Sequence, residues 1–168
     1  GSEMCIRDSN QPYNYLDYCL RPMIEKSDNF QTGVVVDAIT GIPNIPGLLI
    51  INDDFRDWIE KRRYTERYLD SRGLLGNQVI LHKTYPTNSG DSPIGAEKLA
   101  RDQFGMNQMQ SRLGASLMLE VVKGGLEPGA TGYMRSLLRH DRTSAYAALG
   151  FGLPPGSVNE NKIGVAYD

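Results

Sequence analysis

Cys19-Leu-Arg-Pro-Met-Ile-Glu-Lys-Ser-Asp-Asn29, continuing through Phe30 to Gly41, is the stretch on which the reading of this chain turns. Tyr15, Leu16, Cys19, Leu20, Met23 and Ile24 recur at helical spacing, so Gln11 to Lys26 is expected to form a helix with one apolar face. Pro22 lacks the N–H of the helical ladder and is expected to kink it. Ser27-Asp28-Asn29 then interrupts the pattern with three side chains suited to capping a helix. A second helix is expected over Phe30 to Thr40, with Phe30, Val34, Ala38 and Ile39 on one side and Gly41 as its stop.

Outward from this pair, Pro43 and Pro46-Gly47 mark a loop, and Leu48-Leu-Ile-Ile51 reads equally as a short strand or as buried coil. Asn52-Asp53-Asp54 caps a third helix, Phe55 to about Asp70, with Phe55, Trp58, Ile59 and Leu69 facing a core. Its basic residues, Lys61-Arg62-Arg63 and Arg67, alternate with Glu60, Glu66 and Asp70. That mixture reads as a solvated face and not as a nucleic-acid patch. His82 to Ala96 reads as a long irregular loop, a kind of segment that is often functional. Asn107 is expected to cap a helix over Gln108 to Lys123 that ends at Gly124-Gly125, and Glu127-Pro128 opens the next one. After a short turn over Ala145 to Leu149 and the Gly150–Gly156 loop, a final strand is expected over Lys162 to Tyr167. The fold class is therefore mainly α, with one strand at the end.

Composition sets wide bounds. The 168 residues, 40% hydrophobic and 23% charged, suit one ordinary globular domain. A net charge of −2 and a pI near 5.7 provide no bulk attraction for nucleic acid or anionic lipid. No apolar run approaches the roughly 20 residues of a membrane span. With two histidines, His82 and His140, and no paired cysteines, no metal site is expected. Cys19 lies among apolar residues and reads as a small buried hydrophobe. Residues 1–9, Gly-Ser-Glu-Met-Cys-Ile-Arg-Asp-Ser, resemble the translated frame of a transposase adapter used in DNA libraries. Residues 10–168 are accordingly read as an interior piece of a longer protein, cut at both ends.

Ser27-Asp28-Asn29 and Lys162-Ile163-Gly164 together resemble the second and third motifs of the penicillin-recognising serine hydrolases, the class A β-lactamases and penicillin-binding proteins. That family's set is Ser-x-x-Lys, Ser-Asp-Asn and Lys-Thr-Gly. Cys19 to Gly41 is similar to its helix, turn and following helix. Leu113 to Leu138 is similar to its two helices before the last motif. Gly41 to Gln108 matches loosely. The resemblance implies the helical subdomain of an α+β fold, a pocket against a missing α/β subdomain, a small acyl-amide substrate of the β-lactam kind, and no cofactor. It also implies a periplasmic or secreted location.

Residue roles follow from the same resemblance. Ser27 would relay a proton to the leaving group, since a hydroxyl both donates and accepts. Asn29 would hold the acyl-amide of the substrate, and Asp28 would fix the turn. Lys162 would bring positive charge to the pocket edge, and Gly164 would let the strand backbone approach the ligand. Taken singly, these residues also read as helix cap, surface lysine and turn glycine.

Three departures qualify the resemblance. No serine in this chain is followed three positions later by lysine, so the nucleophile motif is absent and the chain alone is expected to be inactive. Ile163 replaces a hydroxyl residue. In the long loop the one nearby glutamate, Glu97, lacks an asparagine four positions on and reads as the start of a helix. An acyl-enzyme without a deacylating base would persist, which suits a transpeptidase- or carboxypeptidase-like protein; a non-catalytic binding or scaffold relative is the other alternative. His82-Lys83-Thr84 mimics the third motif but runs into Tyr85-Pro86, which stops a strand.

Overall fold

Helix α1 (Pro12–Glu25) and helix α2 (Asn29–Thr40) pack directly against each other, as the opening stretch requires. The computed structural model describes residues 12–74, 92–125, 128–141, 150 and 152–162. Pro22 does not end α1; the helix continues to Glu25, and the Pro22 carbonyl accepts from both Lys26 N and Asp28 N, at 3.0 and 3.2 Å. Cys19 is fully buried on this helix. Helix α2 ends where glycine permits it, Gly41 standing at φ 69°.

The face that α2 buries differs from the one its periodicity suggests. Val35 and Thr40 are buried, whereas Phe30, Ala38 and Ile39 are exposed. The run Val34-Val-Val36 offers an apolar side chain in three successive directions, so spacing alone could not select a face. Contacts with α1 on one side and with α3 and α4 on the other do so.

Helix α3 (Asp53–Arg62) begins with Asn52, whose side chain accepts from Phe55 N at 3.0 Å, and Asp53 and Asp54 occupy the positive end of the helix dipole. The single helix expected over Phe55 to Asp70 is two. Arg63, at φ −80° and ψ 14°, separates α3 from α4 (Tyr64–Ser71). The break lets the two halves serve different clusters. Phe55, Trp58 and Ile59 join Leu48, Ala96 and Ala100, while Leu69 packs with Leu113. The stretch Leu48–Ile51 is coil; Leu48 enters the core, and Leu49, Ile50 and Ile51 are exposed.

Helix α5 (Gly95–Phe104) lies against α3 and includes Gly95 and Ala96, which had been expected to lie in a loop. The strap Ile42–Leu48 fastens it. Pro43 O accepts from Trp58 Nε1 at 2.8 Å, Ala96 N donates to Ile45 O at 3.1 Å, and Asn44 bonds to Ile94 O and Glu97 N. Gly95 sits so close that a Cβ there would stand 2.1 Å from Ile45 O. Helix α6 (Ser111–Lys123) starts later than the expected Asn107 cap, after an extended Gln110 that makes no side-chain cap bond. Helix α7 (Pro128–Leu138) packs on α6 and α1, with proline at its first position as anticipated.

The chain is mainly α. Among the described residues, β structure is confined to isolated pairings such as the antiparallel bridge Arg139–Glu160. Lys162 is not in a strand, and the rest of the expected final strand lies outside the described residues, as do the Ala145–Leu149 turn, His82-Lys83-Thr84 and most of the long loop. No helix of the described residues is long and apolar enough to cross a membrane.

Candidate functional site

Ser27 occupies the turn between α1 and α2 at φ 56°, the one non-glycine residue at positive φ among the described residues. An L-residue there costs roughly 1–2 kcal/mol, and such strain tends to persist at functional positions. The turn around it is over-determined. Asp28 N is tied back to Pro22 O, Asp28 Oδ1 accepts from Gln31 N at 2.9 Å, and Thr32 Oγ1 donates to the Asp28 carbonyl at 2.7 Å. Asp28 is therefore the N-cap of α2. Its neighbours hold Ser27 in place and leave its side chain exposed.

Lys162, 135 residues further on, donates a hydrogen bond from Nζ to Ser27 Oγ. The segment that delivers it is fixed to the end of α7. His140 N donates to Asn159 O at 3.0 Å and Asn161 N to Leu138 O at 2.8 Å, bracketing the bridge of Arg139 with Glu160. Glu160 adds two ionic contacts, accepting from Arg135 Nε at 2.9 Å and from Arg139 Nη2 at 3.2 Å. These bonds, Arg135's first, hold its carboxyl below the usual range. On the other side, α7 is tied to α1 by Tyr133, whose hydroxyl donates to Asp17. Burial and that contact push the Tyr133 phenol up to about 12. Serine and lysine thus meet because α1, α7 and residues 159–162 are clamped in sequence.

The Lys162 ammonium is partly desolvated by its surroundings, which lowers its pKa from the ordinary lysine value. Lys162 is itself exposed, and this partial desolvation lets it give up a proton more readily than a fully hydrated lysine. Asn29 opens α2 two residues beyond Ser27 and is exposed. Ile163 and Gly164 lie outside the described residues. Of the residues singled out in the sequence, the fold brings together Ser27 and Lys162, with Asp28 as the cap of the turn. Among the described residues no group of three or more His, Cys, Asp or Glu is placed to hold a metal ion.

Glu97 stands in the first turn of α5, buried, and receives Arg62 Nη2. Arg62 is wholly buried, against the expectation of a solvated basic face. It also donates to Asp37 on α2 and, at 2.8 Å, to Ile42 O, and its guanidinium lies over the Trp58 ring. A signal for it existed. Phe55, Trp58, Ile59 and Arg62 have the spacing i, i+3, i+4, i+7, which sets Arg62 on the apolar stripe. The Glu160 clamp had a weaker one, in Arg135 and Arg139 at i and i+4.

The chain is 35% identical over 162 residues to Golvesin of Dictyostelium discoideum, a match covering 96% of this chain and 28% of that protein. It therefore spans little more than a quarter of the relative's length. No family model and no solved structure matches the chain.

Proposed function

We infer that the chain is the helical part of a penicillin-recognising serine hydrolase, acting on β-lactams or related acyl-amides through an acyl-enzyme. The observation that supports this reading is the contact of Lys162 with Ser27, the first residues of two motifs 135 residues apart. In the complete protein a Ser-x-x-Lys motif ahead of this chain supplies the nucleophile. Ser27 passes the proton to the departing nitrogen, Lys162 stabilises the deprotonated relay and attracts the substrate carboxylate, and Asn29 holds the acyl-amide. This chain, lacking that motif, gives no penicillin-dependent mass gain.

The buried ion pair of Glu97 with Arg62 favours a slowly turning-over, penicillin-binding protein over an efficient β-lactamase. A carboxylate committed to a guanidinium is a poor base for activating water. The test is to read the parent coding sequence ahead of codon 10. An in-frame Ser-x-x-Lys supports the reading; its absence reduces the protein to a non-catalytic relative in which Ser27 and Lys162 serve as turn residue and surface charge.

A further inference from the structure

We propose that Ser27 and Lys162 form a self-contained serine–lysine dyad, with Ser27 as nucleophile and Lys162 as general base toward small activated acyl esters. The inference goes beyond the relay role, because it concerns what the pair does in a chain that has no Ser-x-x-Lys of its own.

Four features support it. The Lys162 amine and the Ser27 hydroxyl are within hydrogen-bond reach, Nζ donating to Oγ; with the amine neutral, the same contact lets Oγ–H donate to Nζ, the relation a nucleophile requires of its base. Ser27 stands at φ 56° immediately ahead of the capped N-terminus of α2. A serine strained at the entry to a helix presents its oxygen outward. Ser27 is also exposed, so a small ester reaches it without displacing protein. Desolvation of Lys162 raises its neutral fraction at a given pH, and only the neutral amine can accept the serine proton.

With p-nitrophenyl acetate the step balances as follows. Ser27 Oγ forms a bond to the acetyl carbon while its proton passes to Lys162 Nζ. The bond from carbon to the phenolic oxygen breaks, and p-nitrophenolate departs with the electron pair. The products are O-acetyl-Ser27, Lys162 as ammonium, and p-nitrophenolate. This leaving group needs no proton.

The test uses the chain itself, exposed to p-nitrophenyl acetate, with p-nitrophenolate release followed by absorbance and the acetyl group located by peptide mass spectrometry. Two variants accompany it. Ser27→Gly removes the nucleophile at a φ that glycine prefers, so the fold survives. Lys162→Arg keeps the cation and the donor but cannot act as a base. The expected result is one acetyl on Ser27, absent in Ser27→Gly and formed about 100-fold more slowly in Lys162→Arg, with unchanged circular dichroism in both. Acetylation confined to lysines or the N-terminus would overturn the proposal. So would equal labelling of Ser27 in Lys162→Arg, which would leave lysine a structural role only. Failure here is distinguishable from failure of the relay reading, which depends on the motif ahead of this chain and is read on the complete protein.

Discussion

Arg62→Met should cost this chain about 3–5 kcal/mol of folding stability, the range for leaving buried charge uncompensated. The wild-type guanidinium is wholly buried and joins Asp37, Glu97 and the Ile42 carbonyl, so one substitution strips partners from α2, α5 and the strap at once. Methionine fills the volume beside Trp58 but leaves the Glu97 carboxylate without its guanidinium in a buried position. Against a total stability of roughly 5–15 kcal/mol, that is enough to unfold a large fraction of molecules under mild denaturant. Trp58, the one tryptophan of the chain, is buried against the Arg62 guanidinium and supplies the fluorescence readout for urea titration.

The pH dependence adds a second constraint. Burial already raises the Asp37 carboxyl, outweighing the opposing effect of Arg62. A raised carboxyl binds a proton more readily folded than unfolded, so its contribution to stability falls as pH rises from the unfolded value through the folded one. Removing Arg62 widens that window upward, and the deficit of the variant should grow with pH across the carboxylate range. Arg62→Met combined with Glu97→Gln should recover at least about 1 kcal/mol of the single-variant loss. A single variant within about 0.5 kcal/mol of wild type, as for an ordinary surface residue, would refute the buried network.

Gly95→Ala should destabilise by at least about 2 kcal/mol, since the new Cβ would meet backbone atoms of Ile45 and Pro46 at a residue already at φ 59°; thermal unfolding would measure it. Tyr133→Phe should lose about 1–2 kcal/mol below pH 10 by removing the bond to Asp17. Because the folded phenol titrates at about 12, wild-type stability from this group should decline as pH rises from the unfolded tyrosine value of 10.0 through 12. The phenylalanine variant should lack that component of the decline. Chemical denaturation at stepped alkaline pH would separate the two.

The helix ends were legible where a residue carries its own geometric constraint. Gly41 and Gly124 close their helices at φ 69° and 71°, and Asn52 caps α3. Such features are local and leave their mark in a few adjacent letters. The pairing of Ser27 with Lys162 was not legible from periodicity; it was reached through resemblance of two short motifs, neither specific alone. Arg62 was misread because a basic run interleaved with acids describes a solvated face equally well, and its partners lie 25 and 35 residues away. The helix break at Arg63 was hidden for a related reason. It is set by two separate clusters competing for α3 and α4, a property of packing that no local pattern encodes.

The account stands most directly on penicillin acylation of the complete parent protein, measured by intact mass before and after exposure to benzylpenicillin. It predicts a single penicilloyl adduct on the serine of an upstream Ser-x-x-Lys, formed at least about 100-fold more slowly when Ser27 is replaced by glycine. An unmodified parent protein, or an adduct whose rate ignores Ser27, would contradict it.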